Sequence, residues 1–152
     1  MRYFNRHGGW SKHVQKQYRS GLEEKIAEEL QNAGVVYSYE KHRVDYTAPA
    51  TLHHYTPDFV LGNGIIVETK GLFEVEDRKK HLLIKEQHPN LDIRFVFTNS
   101  NTKLYKGSKT SYADWCNKYG FQYADKYIPI PWLKEKKKKN SSTDIYERGT
   151  DK

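Results

Sequence analysis

Apolar runs along the chain predict its strands, and the clearest one is Gly64–Lys70, which reads Gly-Ile-Ile-Val-Glu-Thr-Lys. Successive side chains of a strand point to opposite faces of its sheet. Glu68 and Lys70 therefore project side by side, whereas Val67 and Thr69 face the other way. The three consecutive aliphatic residues indicate a strand that is largely buried.

A second strand, Tyr55–Val60, is predicted directly before this run, and Gly62–Gly64 provides a tight turn between the two. A hairpin of this length brings Asp58 close to Glu68 and Lys70. The sequence thus predicts two acids and a lysine on adjacent strands.

Helical periodicity predicts a helix over about residues 21–33, where apolar side chains recur every three or four positions and Gly34 ends the pattern. Further elements follow from similar patterns. They are a strand at 35–41, an extended segment at 43–51 that Pro49 keeps out of a sheet interior, a helix at 74–88, a strand at 93–98, a polar basic loop at 99–109, a helix at 110–119, a short strand at 121–123 and a rigid extended segment at 128–131. This order predicts an α/β domain with a mixed central sheet flanked by helices.

The length of 152 residues suits a single domain, which we place at residues 19–134. Residues 1–18 are basic and aromatic without clear periodicity, and we expect them to form a mobile arm. From residue 135 the composition shifts to Lys, Ser, Asn and Asp, so a flexible basic tail is predicted for residues 135–152.

The formal charge of +7 and the pI of about 9.3 favour a polyanionic partner, although a basic surface also suits anionic membranes. We find no signal peptide at the start and no apolar run near the ~20 residues that a membrane span needs. The single cysteine, Cys116, excludes a disulfide within the chain and fits a cytoplasmic compartment. Its helical surroundings favour a buried structural thiol over a catalytic one.

Asp58, Glu68 and Lys70 form the acid, acid and lysine set of a metal-dependent nuclease. Phosphodiester cleavage needs hard oxygen ligands for Mg²⁺ or Mn²⁺, and a cation or base near the attacking water. The alternative is that Glu68 and Lys70 lie on a solvated face while Asp58 occupies a turn. Adjacent charges on a buried strand are costly without partners or a metal ion, which favours the nuclease.

Glu23 has two interpretations, because Ser20 stands three residues before it. The pair matches a capping box, in which both side chains bind backbone N–H groups at a helix start. Alternatively, Glu23 presents a further carboxylate to the metal cluster from the first turn of the helix. Glu24 competes for that role, and the local sequence does not separate the two.

Basic residues near the candidate centre are predicted to bind phosphates without reading base sequence, although a solvated surface would look the same in sequence. The predicted DNA contacts are Arg19, Arg78, Lys79, Lys80, Lys103, Lys106 and Lys109. The histidines do not predict a zinc site, because no cysteine pairs accompany them and their spacing is poor for chelation. They include the adjacent pair His53 and His54, either of which could contact a phosphate, and the separated His81 and His88.

Several blocks of the chain form a distinctive series, and they are Arg19-Ser-Gly-Leu-Glu23, Tyr55-Thr-Pro-Asp-Phe59, Val67-Glu-Thr-Lys-Gly-Leu72, Asp77-Arg-Lys-Lys-His-Leu-Leu-Ile84 and Thr102-Lys-Leu-Tyr-Lys-Gly-Ser108. Over about residues 19–134, the chain that carries these blocks resembles the phage endonuclease I family of Holliday junction resolvases. The resemblance implies a restriction-endonuclease-like core that cuts four-way and other branched DNA with Mg²⁺ or Mn²⁺ in the cytoplasm of an infected bacterium.

The same resemblance implies a catalytic set of Glu23, Asp58, Glu68 and Lys70, and so selects Glu23 over Glu24. We expect Asp58, Glu68, Glu23 and the backbone carbonyl of Thr69 to bind one or two ions per site. The resemblance further implies an intertwined homodimer, in which the segment around residues 45–51 bridges two chains. Each site would then combine Glu23 of one chain with the other three residues of its partner.

Two rival functions remain at this stage. A sequence- or mismatch-directed duplex nuclease would share the core, but it should also carry a base-reading insertion, for which the length leaves no room. A non-catalytic junction-binding module would not require the acids, yet the full set is present.

Overall fold

The computed structural model describes residues 18–48, 51–138 and 145–147, and within these ranges it contains four helices and two β-sheets. The helices are α1 (Gly21–Asn32), α2 (Val75–Gln87), α3 (Tyr112–Tyr119) and α4 (Ile130–Lys134). The strands are β1 (Tyr37–Tyr39), β2 (His42–Ala48), β3 (Thr51–Tyr55), β4 (Phe59–Leu61), β5 (Ile66–Lys70), β6 (Ile93–Phe97), β7 (Gln122–Asp125) and β8 (Ile145–Glu147).

The larger sheet has the strand order β1-β4-β5-β6-β7 and is mixed, as predicted. β1, β4 and β5 pair antiparallel, whereas β5, β6 and β7 pair parallel. The predicted tight turn joins β4 to β5, where Gly64 adopts a φ of 91° that only glycine adopts readily. Parallel neighbours need crossovers, which α2 and α3 supply.

The central strand β5 is buried on both faces, and its alternate residues enter different clusters, as the strand periodicity predicts. Ile66 lies in a mainly aromatic cluster, and Val67 lies in a cluster with apolar residues of α1. The first cluster includes Phe73, Phe95, Phe97 and Trp115, and the second includes Ile26, Ala27 and Leu30. The predicted apolar stripe of α1 is therefore confirmed at Ile26 and Leu30.

The predicted single strand over Tyr55–Val60 is wrong, because β3 ends at Tyr55 and β4 begins at Phe59. Pro57 lies in the break and has no backbone N–H to donate to a sheet ladder. The interruption leaves the backbone N–H of Asp58 outside the ladder, and this group donates to the Glu68 carboxylate at 2.9 Å.

The smaller sheet has the order β3-β2-β8 and is antiparallel throughout. β2 and β3 form a hairpin in which Val44 pairs with Tyr55 and Ala48 with Thr51. The predicted bridge segment, residues 45–51, falls on this hairpin. Residues 49 and 50 lie outside the described residues, so the expectation that Pro49 keeps this segment out of a sheet interior stays a prediction.

Two expectations near the C-terminal end differ from the structure. Residues 130–134 form α4 rather than an extended segment, since Pro131 stands in the first helical turn, where a proline sacrifices no intrahelical hydrogen bond. The tail predicted from residue 135 contacts the domain wherever it is described. Glu135 pairs with the buried guanidinium of Arg94, and β8 pairs with the β2 strand of the smaller sheet.

At the other end, Tyr18 is buried in the cluster around α1 rather than belonging to a mobile arm, and residues 1–17 lie outside the described residues. Within the described part of the chain, no helix is long and apolar enough to cross a membrane.

Candidate active site

The predicted acids meet where the first turn of α1, the break before β4 and the end of β5 lie together. Glu68 is central, and the residue is only 3% exposed. Its Oε2 accepts hydrogen bonds from the Tyr55 hydroxyl at 2.7 Å and from the Asp58 N–H at 2.9 Å. Burial raises the pKa of Glu68, while Lys70 and the two hydrogen bonds oppose that rise.

Asp58, just before β4, is held by Thr69, the residue that follows Glu68 on β5. Its Oδ2 accepts hydrogen bonds from the backbone N–H and the hydroxyl of Thr69, both at 2.9 Å. Burial, and then the nearby charges of Glu68 and Glu23, raise the pKa of Asp58 well above its ordinary value. The site therefore disfavours an uncompensated negative charge on Asp58.

Glu23 reaches the same site from the start of α1, and it is 6% exposed. Ser20 caps the helix by accepting from the Glu23 N–H at 3.1 Å, as the capping interpretation predicts. The Glu23 carboxylate, however, binds the Arg19 N–H at 2.8 Å and the Tyr39 hydroxyl at 3.0 Å. Glu23 is therefore both part of the helix start and a member of the acidic group.

Glu40 is a fourth acid, which the sequence analysis did not single out. It follows β1 with a φ of 48°, and its N–H donates to the Asp58 carbonyl at 3.0 Å. Each of Glu23, Glu40 and Asp58 has a carboxylate oxygen within 4.8 Å of the others. In sequence Glu40 looks like one more polar position of an alternating strand, so no local signal marks it.

This donor set fits a hard divalent cation. Ligand oxygens on opposite sides of Mg²⁺ stand roughly 4.2 Å apart, because each Mg–O distance is about 2.1 Å. The spacing within the group Glu23, Glu40 and Asp58 accommodates that span. Its oxygens are all carboxylate, the ligand type that Mg²⁺ and Mn²⁺ prefer.

Lys70 stands beside Glu68, as the strand periodicity predicts. Its ammonium is 4.0 Å from Glu68 Oε1 and 3.3 Å from Asp77 Oδ1 on α2. Burial alone would lower the pKa of Lys70, but the carboxylates of Glu68, Asp77 and Asp58 together raise it. Asp77 was not predicted as part of the site, and the helix brings it there.

The basic residues divide into groups by exposure. Arg78 is buried and donates to the Phe73 carbonyl at 2.5 Å, so its guanidinium supports the chain before α2 and the predicted DNA contact is not favoured. Lys80 approaches the site, with its ammonium 5.6 Å from the ring centre of Tyr55. Arg19 pairs with Glu40 through an exposed guanidinium. The other residues predicted to contact DNA are all exposed, and they are Lys79, Lys103, Lys106 and Lys109.

The histidines occupy different places. His53 stacks on Tyr46 and His54 pairs with Asp45, both on the β2–β3 hairpin. His88, at the end of α2, binds the backbone carbonyl of Asp45. His81 lies in the core behind Glu68.

Comparisons with known proteins agree with the family resemblance. The sequence profile of the family described as phage endonuclease I matches residues 4–152. The chain is 60% identical over 121 residues to endonuclease I of Escherichia phage T7, an alignment that covers 80% of this chain and 81% of that protein. It is 57% identical over 121 residues to endodeoxyribonuclease 1 of Enterobacteria phage T3, with 80% of each protein covered.

Proposed function

Because the chain belongs to the phage endonuclease I family, we propose that it is a metal-dependent endodeoxyribonuclease that resolves four-way and other branched DNA by paired nicks. The observation that carries the proposal is the convergence of Glu23, Asp58, Glu68 and Lys70, from three parts of the chain, on one largely buried site. A restriction-endonuclease-like core and action in the cytoplasm of an infected bacterium belong to the same proposal.

The acids of the site would hold one or two Mg²⁺ or Mn²⁺ ions. The proposed ligands are carboxylates of Asp58, Glu68, Glu23 and Glu40, with the backbone carbonyl of Thr69 as a further ligand. When bound, such ions polarise the scissile phosphate and stabilise the leaving 3′ oxygen. Tyr55 and Thr69 keep Glu68 and Asp58 in place through the hydrogen bonds described above.

Lys70 contributes a positive charge beside the acids. Against the effect of burial, three carboxylates raise its pKa and so favour the protonated form. We infer that Lys70 orients or deprotonates the attacking water, or stabilises the negative charge that develops on phosphorus.

Junction resolution requires two cuts, and a symmetric dimer supplies two sites. We propose that two chains exchange the segment before β3. In the single chain, β1 pairs with β4 and Glu23 faces Asp58. If the β2–β3 hairpin opened between residues 48 and 51, the same contacts would form between chains at little cost, since every pairing is kept.

The proposal is tested with a labelled four-way junction, the matching linear duplexes and Mg²⁺, with a parallel reaction in EDTA. We expect rapid paired cleavage of the junction only with Mg²⁺. Asp58→Asn and Glu68→Gln should bind the junction nearly as well as the wild type, since affinity comes from Lys and Arg, but should not cleave it.

Glu24→Gln is the matched control, because Glu24 adjoins Glu23 on α1 and should tolerate the change. Cleavage of the linear duplexes at junction rates would contradict structure selectivity. Undiminished cleavage by the wild type in EDTA would contradict the metal site. So would cleavage by Asp58→Asn or Glu68→Gln at the wild-type rate.

A further inference from the structure

His81, on α2, is a fully buried side chain with no role in the mechanism above. Its ring meets Tyr55 and Phe95 edge-on, at centroid distances of 5.1 and 4.9 Å. Among the described residues, neither ring nitrogen has a hydrogen-bond partner. Burying such polar atoms without partners is costly, and an apolar side chain of similar size would avoid that cost. Packing alone therefore does not account for an imidazole here.

The carboxylate of Glu68 lies close to this ring, with Glu68 Oε1 3.9 Å from His81 Nε2. The other oxygen of Glu68 already accepts from Tyr55 and Asp58, so Oε1 is the oxygen that remains for other partners. A shift of about 1 Å would bring the pair to hydrogen-bond distance. Each carboxylate oxygen has two lone pairs, so Oε1 can accept from His81 and still face a metal ion.

We propose that His81 is a positioning residue whose Nε2–H donates to Glu68 Oε1 and fixes the rotation of this carboxylate for metal binding. The proposal deepens the metal-dependent function above and rests on it. Mutation of an outer partner that orients a metal ligand typically lowers metal affinity by roughly 10–100-fold.

The electrostatic surroundings agree with a neutral donor. Burial, and then the charges of Lys80 and Lys70, lower the pKa of His81 well below its ordinary value. A neutral imidazole donates one hydrogen bond without adding a cation, so Glu68 retains its negative charge for the metal ion. Lys70 approaches the same oxygen at 4.0 Å and supplies the charge.

The test compares Mn²⁺ binding by the wild type, His81→Phe and His81→Gln, measured by calorimetry without DNA, together with their melting temperatures. Phe keeps an aromatic ring, somewhat larger than imidazole, and removes the donor, whereas Gln restores a donor near the position of Nε2. We expect His81→Phe to stay folded, as its melting transition would show, but to bind Mn²⁺ roughly 10–100-fold more weakly. His81→Gln should recover most of that affinity.

Wild-type Mn²⁺ affinity in a folded His81→Phe protein would overturn the positioning role and leave the metal-dependent function standing. A wild type that binds no Mn²⁺ would instead overturn the metal-dependent function. Nitrogen-15 NMR of the wild-type imidazole provides a readout that needs no variant. The proposal requires the Nε2–H tautomer, and finding the Nδ1–H tautomer would overturn it.

Discussion

At the scale of single residues, the candidate site shows how acids are held close together in a protein interior. Asp58 and Glu68 are each fixed by two hydrogen bonds, and these bonds come from Thr69, Tyr55 and the backbone. Burial raises the pKa of both acids despite these bonds, and the charges of Glu68 and Glu23 raise that of Asp58 further. A divalent cation would supply the missing compensation.

Glu40→Gln tests the acid that the sequence did not reveal. We expect Mn²⁺ affinity to fall by about 10–100-fold, as is usual when a metal site loses an orienting or ligating group. The side chain keeps its length, so the fold should persist. Calorimetry without DNA measures the effect, and Glu24→Gln serves as the control. Equal affinities of wild type and Glu40→Gln would place Glu40 outside the metal site.

Cys116 should behave as a structural thiol. Burial raises its pKa to about 12, so almost no reactive thiolate is present near pH 8. We expect Ellman's reagent to modify the folded protein far more slowly than the protein in 6 M guanidinium. Because the chain has one cysteine, the signal has a single source. Rapid modification of the folded protein would show that α3 opens easily.

At the scale of elements, a buried arginine connects β6 to the segment after α4. Arg94 is 1% exposed, and its guanidinium forms paired hydrogen bonds with Asp92 at 2.7 and 2.8 Å and with Glu135 at 2.6 and 2.9 Å. It also lies over the ring of Trp132. Two carboxylates compensate one buried cation, and this explains why residue 135 belongs to the domain.

Asp92→Asn should destabilise the protein at neutral pH by about 1–3 kcal/mol, since it weakens charged hydrogen bonds to a buried arginine. Burial alone would raise the pKa of Asp92, but Arg94 and Lys138 lower it overall. A lowered pKa gives stability above the ordinary carboxyl range, and that stability is lost as the pH falls below about 4.

Urea unfolding at steps between pH 7 and pH 2.5 measures this contribution. The difference between wild type and Asp92→Asn should shrink as the pH falls, and Glu28→Gln on the exposed side of α1 should show no such trend. A difference that grows at low pH would contradict the assignment.

At the scale of the whole molecule, the site combines two parts of the chain separated by the β2–β3 hairpin. Glu23 and Glu40 come before the hairpin, whereas Asp58, Glu68 and Lys70 come after it. Any exchange of the first part between two chains would preserve each site while making it composite. Neither site would then form without the dimer, and the same dimer would supply both cuts.

A heterodimer of one Glu23→Gln chain with one Asp58→Asn chain tests the exchange. In the exchanged dimer both lesions fall in one site and the other site is intact, so the heterodimer should nick one strand of a junction without resolving it. If each chain formed its own site, every site would carry one lesion and nicking would vanish. Refolding the two variants together and counting nicked against resolved junctions separates these outcomes, with both homodimers as inactive controls.

The sequence by itself determined most of the elements and the core of the site. Strand periodicity placed Glu68 beside Lys70, and the short connection through the Gly62–Gly64 turn brought Asp58 close to them. Both relations depend only on residues near one another in the chain. The stripe of α1 and the turn at Gly62–Gly64 follow from equally local rules.

The tertiary structure decided whatever depended on distant partners. It brought Glu40 to Asp58, Asp77 to Lys70 and His81 to Glu68, none of which are neighbours in sequence. It also buried Arg78, which the sequence predicted to be a surface cation, and the guanidinium there donates to the Phe73 carbonyl. Local patterns set which way a side chain points, but the free energy of burying it depends on what folding brings within reach.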